Sequence, residues 1–199
     1  MKSCRNCLSI LALFLTLAAC GTTPKNNYYL LSATDSAPPS GHTPSLGIGP
    51  IEIPEYLNRN GLVYNRDGNQ LRIANYERWA EPLANGVERV ISLNLAHLLN
   101  TENVQAFPWP RSQEPDYSVQ ITIMSLDADD KAAKLVAEWM VLKAGQISLS
   151  GRKISQLSVQ IPGGSVTPQQ IAPAYSDLLH QLSELIAAKI AADDAGQTP

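Results

Sequence analysis

The stretch Tyr117-Ser118-Val119-Gln120-Ile121-Thr122-Ile123-Met124-Ser125-Leu126 decides the fold. Tyr117, Val119, Ile121 and Ile123 alternate with Ser118, Gln120 and Thr122, the period of two that gives a strand one apolar and one polar face. The acidic run 127–130 makes a turn, and residues 134–143 return as a second strand through Val136, Trp139 and Val141. Alternation sets Glu138 on the face opposite Trp139, toward water. Residues 146–150 and 156–161 complete an antiparallel meander, broken at Gly145 and Gly151.

Two helical patterns supply the cover for such a sheet. Pro82 follows Trp79-Ala80-Glu81 and suits a helix's first turn, where its missing N–H costs nothing. Leu83, Val87, Val90, Ile91, Leu95 and Leu98 then recur at three- and four-residue spacing, ending near Asn100. Gly86 inside this helix costs about 1 kcal/mol relative to Ala, which points to close packing there. Thr167-Pro168-Gln169-Gln170 resembles a capping box and opens a second helix toward Ala192, with Leu178, Leu179, Leu182, Leu185, Ile186 and Ile190 as its buried stripe. Pro173 moves the expected start of that helix nearer Ala172.

Outward toward the N-terminus, Tyr28-Tyr29-Leu30-Leu31 reads as a first strand and residues 33–46 as a mobile Pro/Ser-rich loop. Residues 46–53 alternate as a second strand, with a bulge or an edge position expected at Pro50. Residues 62–65 and 70–73 flank Arg66-Asp67-Gly68-Asn69, whose Asp-Gly pair is a hairpin signal. Residues 104–107 form a brief strand stopped by Pro108-Trp109-Pro110. There is no internal repeat. The expected class is α+β, a mainly antiparallel sheet with two amphipathic helices packed on it.

Lys2 and Arg5 precede an apolar run from Leu8 to Leu17, and Leu17-Ala18-Ala19-Cys20 closes it ahead of the polar Gly21-Thr22-Thr23-Pro24. This is the pattern of a secretory signal peptide. Ten apolar residues reach only about 15 Å as a helix, against roughly 30 Å of hydrocarbon, so the run does not span a membrane. Its ending resembles a bacterial lipobox, which implies diacylglyceryl attachment at Cys20 and cleavage before it; the rival reading is an ordinary signal peptide with a coincidental cysteine. Acyl chains contribute about 0.8 kcal/mol per buried CH₂, so two or three on one residue hold it at a membrane surface. The expected layout is a signal peptide at 1–19, a lipidated tether at 20–27, one domain at 28–192 and a flexible tail at 193–199.

Removing residues 1–19 leaves 13 Lys+Arg against 18 Asp+Glu, a formal charge of −5. Such a chain has no electrostatic reason to bind nucleic acid or anionic headgroups. Cys4 and Cys7 leave with the signal peptide, so a disulfide is not expected and stability must come from packing.

No catalytic residue, cofactor or metal ligand is singled out: G-x-S-x-G, Walker A, H-E-x-x-H and EF-hand patterns are missing. His42, His97 and His180 are scattered over a loop and two helices. Asp127, Asp129 and Asp130 read as a solvated hairpin turn in preference to a cation site. Trp79 at the helix entrance reads as a core anchor, with a docking corner as the alternative. Tyr56 and Leu57, in the turn Pro54-Glu55-Tyr56-Leu57-Asn58, are expected to be exposed and to dock a partner, the alternative being that Tyr56 folds back onto the sheet.

The order of these segments resembles the PqiC-type family of ABC-transport auxiliary lipoproteins over roughly residues 28–190. The resemblance rests on the lipobox, Tyr28-Tyr29-Leu30-Leu31, the run 48–59 (Ile-Gly-Pro-Ile-Glu-Ile-Pro-Glu-Tyr-Leu-Asn-Arg), and Trp79-Ala80-Glu81-Pro82-Leu83 leading into a helix with Asn94-Leu95 near its end. It implies a fold similar to the amino-terminal domain of TolB and a protein that is not an enzyme. It implies an outer-membrane lipoprotein, anchored in the inner leaflet and facing the periplasm, in an intermembrane lipid-transport system. Its implied partners are an MCE-domain periplasmic protein, whose tube it would hold at the outer-membrane end, and further copies of itself in a homo-oligomeric ring. Gly21, where an Asp would retain a lipoprotein in the inner membrane, agrees with outer-membrane sorting. A scaffold for another envelope machine (a secretin or lipopolysaccharide export) and a lipid-anchored hydrolase are the competing readings.

Overall fold

A computed structural model describes residues 24–34, 37–67, 69–145, 151–164 and 166–195. In chain order these form β1 (Asn27–Tyr29), β2 (Leu46–Glu52), β3 (Gly61–Asp67), β4 (Gln70–Trp79), α1 (Leu83–Leu98), β5 (Val104–Ala106), β6 (Tyr117–Ala128), β7 (Ala132–Lys143), β8 (Lys153–Gln160) and α2 (Pro168–Ala195). Single 3-10 turns lie at Glu55–Leu57 and Arg111–Gln113.

The meander forms as its alternation dictates. β6 pairs antiparallel with β7, which pairs antiparallel with β8, and Tyr117, Val119, Ile121, Leu135, Ala137, Trp139 and Val141 turn inward. The Trp139 indole N–H donates to Ser155 Oγ at 2.9 Å, satisfying the one polar group of a buried ring. Residues 146–150, expected as a strand, lie outside the described residues.

The architecture is α+β, with one correction to the sheet. Among the described residues there are two sheets, ordered β5-β2-β6-β7-β8 and β1-β4-β3. The longer ladders are antiparallel, but β2 runs parallel to both β5 and β6, and β1 runs parallel to β4. Parallel neighbours need a crossover connection, and the β3–β4 hairpin with α1 supplies it between β2 and its two partners. The expected irregularity at Pro50 is a register shift between Ile48 and Ile51, so β2 keeps a central place despite the missing donor.

Both helices pack on the inner face. α1 presents Leu83, Val87, Val90, Ile91 and Leu95 to the core, and a Cβ on Gly86 would come within 3.1 Å of Glu81 Oε1 and 3.4 Å of Leu31 Cδ1. The close packing inferred from that glycine is therefore real. α2 starts at Pro168 and not near Ala172, because the Thr167 amide and hydroxyl both donate to Gln170 Oε1 at 3.0 and 2.9 Å and fix the first turn. Pro173 then removes one bond inside an otherwise well-covered helix. Leu185, expected in the stripe, is 43% exposed at its margin, and Ser183 takes a buried place by donating to the Leu179 carbonyl at 2.8 Å.

Two boundaries move. β4 continues from Ile73 to Trp79, while its register against β3 shifts between Val63↔Ile73 and Gly61↔Arg78. The C-terminal boundary at 192 is also too early: α2 runs to Ala195, and Asp193 and Asp194 bond the Tyr117 hydroxyl at 2.8 and 2.5 Å. The loop before β2 is held to the end of α1, where Ser40 N–H donates to Asn100 Oδ1 at 3.0 Å and Glu102 N–H to the Gly41 carbonyl at 2.8 Å.

Candidate functional site

Cys20 and Gly21 lie outside the described residues. The expected docking turn is described, and its two apolar side chains turn inward while Glu55 and Asn58 stay exposed. Leu57 is 2% exposed, and its turn closes with the Leu57 N–H donating to the Pro54 carbonyl at 2.9 Å. Tyr56 packs against the core, its hydroxyl 3.2 Å from Asp127 Oδ1 and accepting from the Leu126 N–H at 3.3 Å. The expectation of exposure is corrected: the end of β6 meets this turn through Leu126 and Asp127, so the aromatic has a core to serve.

The same contacts correct the acidic turn. Asp127 is partly buried, and desolvation raises its pKa against the opposing hydrogen bond from Tyr56. Burial likewise pushes the Tyr56 phenol up to about 12. Asp129 instead caps the turn, accepting from the Lys131 and Ala132 amides at 2.8 and 2.9 Å, and these bonds with Lys134 hold its carboxyl below the usual range. Asp130 accepts from Val166 N–H at 3.0 Å. Each acid is occupied by the fold.

Other polar groups are structural in the same sense. Trp79 is buried and stacks on Tyr175 with ring centroids 6.2 Å apart, which makes it the core anchor. Beside it, Arg89 donates to Glu81 Oε1 at 2.6 Å and to the Leu31 carbonyl at 2.8 Å, tying the β1 exit to α1. Glu138 faces outward and pairs with Arg152. The three histidines do not meet: His42 lies 3.7 Å from Glu102, and His180 lies 3.5 Å from Glu184. Among the described residues no group of His, Cys, Asp and Glu could hold a metal ion.

What the fold leaves open is apolar surface. A groove of about 700 Å³ runs between α1 and the sheet edge β5, lined by Pro38, Pro39, Leu93, Ala96, Val104 and Ala106. Leu93, in its lining, is 42% exposed. Neither helix period nor strand alternation marks this groove in the sequence, because it is made where a helix flank meets an edge strand 11 residues away in the chain. A second exposed set is Tyr28 and Tyr76 on the small sheet with Leu30 just past the end of β1. Contiguous exposed apolar surface is the usual material of interaction sites.

A family model described as the ABC-type transport auxiliary lipoprotein component matches residues 28–187. The intermembrane transport lipoprotein PqiC of Escherichia coli K12 is 28% identical over 144 residues, covering 70% of this chain and 75% of that one, and PqiC of Shigella flexneri matches equally. Among solved structures, an uncharacterized protein superposes with a TM-score of 0.66 at 22% identity, over 84% of this chain and 99% of the other. A Xanthomonas campestris protein superposes with a TM-score of 0.65 at 15% identity, over 88% and 100%. These two structures share the fold.

Proposed function

From the premise that this chain belongs to the ABC-type transport auxiliary lipoprotein family, we propose that it is the lipid-anchored auxiliary subunit of an MCE-type intermembrane lipid-transport system. Cys20 holds it in the inner leaflet of the outer membrane, facing the periplasm, and Gly21 permits that sorting. There it docks the periplasm-spanning MCE-domain protein, with copies of itself assembled around the end of the tube.

The observation that carries this reading is the match to PqiC over three quarters of that protein's length. The geometry supports a binding role through the groove between α1 and β5. Its walls are mainly apolar, with Ser92, His97 and Glu102 among them, Leu93 is exposed in its lining, and β5 is the edge of the larger sheet. An edge strand beside an apolar groove can accept an extended segment through main-chain hydrogen bonds while side chains enter the groove.

Capture of the lipidated chain from detergent-solubilised membranes tests it. The MCE-domain protein should co-elute, and Leu93→Glu should reduce its recovery at least fivefold while leaving stability within about 1 kcal/mol, since Leu93 is an exposed position. Recovery of a secretin or a lipopolysaccharide-export component in place of the MCE-domain protein would overturn the transport assignment. Unchanged recovery with Leu93→Glu would overturn the groove as the docking surface.

A further inference from the structure

We infer that the face of the small sheet carrying Tyr28, Leu30 and Tyr76 rests on the phospholipid surface and sets the domain's orientation there; this rests on the reading that Cys20 carries the lipid. Tyr28 is 64%, Leu30 49% and Tyr76 46% exposed. Their grouping follows from register. Tyr28 pairs with Arg78 across the β1–β4 ladder, and Tyr76 precedes Arg78 by two residues, so all three share one face. Leu30 follows Tyr28 by two and is exposed as well, whereas the alternate residues Tyr29 and Leu31 turn inward.

The opposite face shows how Tyr28 is held outward. The Tyr29 hydroxyl donates to Glu77 Oε2 at 2.6 Å, and Asn27 Nδ2 donates to Glu77 Oε1 at 3.0 Å. Ala80 N–H donates to the Tyr29 carbonyl at 2.8 Å. Three residues make a weak edge strand on their own, and these bonds pin it to β4.

The occupant is fixed by the tether. Six residues separate Cys20 from Asn27, the first residue of β1. Seven residue steps span at most about 24 Å, so β1 is the element of the domain nearest the acylated cysteine and stays within reach of the bilayer. The chemistry of the face suits that place. Tyrosine sits at the headgroup level with its ring in the apolar zone and its hydroxyl in water, and leucine adds apolar contact. Lys25, two residues before β1, is an exposed cation in the tether and can meet a lipid phosphate. The chain's net acidity gives no general attraction to lipid; this face is the local exception.

The mature lipidated protein has no free cysteine if Cys20 is acylated, so one introduced thiol reports depth. Tyr28→Cys and, on the outward face of β8, Gln156→Cys are each labelled with an environment-sensitive nitrobenzoxadiazole and reconstituted in phosphatidylcholine–phosphatidylglycerol vesicles with or without doxyl-labelled phosphatidylcholine. Doxyl lipid should quench the label at position 28 at least twofold and leave that at 156 within about a tenth. Adding Leu30→Ser and Tyr76→Ser should reduce quenching at 28 to the level of 156, with flotation on vesicles unchanged. A protein that floats while position 28 is unquenched overturns this inference and leaves the anchor standing, as does quenching that survives the double change. A protein that does not float overturns the anchor and this inference with it.

Discussion

The Tyr56 hydroxyl lies 3.2 Å from Asp127 Oδ1, joining the turn after β2 to the far end of β6. This bond carries the aromatic inward and lets Leu57 complete the core beside it. Changing Tyr56 and Leu57 together to Ser should therefore destabilise the domain by about 3–5 kcal/mol, the range for large-to-small changes at buried apolar positions. Denaturant melts of the unlipidated domain check it. A loss under 1 kcal/mol would mean that the turn is a free surface.

Asp127 gives a pH-dependent prediction with a definite sign. Burial raises its folded pKa, so the ionised form is less stable in the folded protein than in the unfolded chain. The protonated acid's contribution is complete below the unfolded value near 3.9 and is lost as pH rises through the folded value. Asp127→Asn keeps a carbonyl acceptor for Tyr56 without the charge. It should raise the thermal midpoint at pH 7, and the difference from the parent should close as pH falls below 4. Equal midpoints at pH 7 would show that the Tyr56 bond compensates desolvation in full.

The meander, the β3–β4 hairpin and both helices are legible in the sequence because each rests on a local period. Val119 and Ile121 need only their neighbours to declare a strand, and Leu178 and Leu182 a helix. Local pattern does not place Tyr56, because its environment is built by Asp127, 71 residues away. The parallel pairing of β2 with β6 was hidden for the same reason: alternation in residues 46–53 shows that a strand exists but not which way its partner runs. The small sheet depends on three residues of β1 meeting β4, a contact that no local pattern encodes. Candidate surfaces suffer most, since the α1–β5 groove and the Tyr28–Tyr76 face exist only after the elements have packed.

Leu182 tests how far the second helix holds the fold. It is fully buried on α2, whose flanks touch β6, β7 and β8 as well as α1. Leu182→Ala should cost about 2–5 kcal/mol, a lost transfer energy plus the cavity left between two rigid layers. Ile190→Val, further along the same stripe, should cost about 0.5–1.5 kcal/mol. Urea melts at constant m-value separate these losses from any change in denatured-state compactness. A Leu182→Ala loss under 1 kcal/mol would make α2 a peripheral strut.

The N-terminal chemistry yields two linked outcomes. Cys20 ends a basic and then apolar leader, and Gly21 follows it. With Ser in place of Cys20 there is no thiol to alkylate, so the variant should fail to incorporate labelled palmitate and should remain uncut or only loosely held to membranes. On the proposed anchor, acyl chains at Cys20 contribute about 0.8 kcal/mol per buried methylene, and no helix among the described residues is long and apolar enough to cross a membrane. Gly21→Asp leaves lipidation intact and changes only the residue read during sorting. On a sucrose gradient the parent should band with the outer membrane and the Gly21→Asp variant with the inner one. A parent found in the inner-membrane fraction would refute the outer-membrane assignment, and a Cys20→Ser protein that is processed and still firmly membrane-bound would refute the lipid anchor.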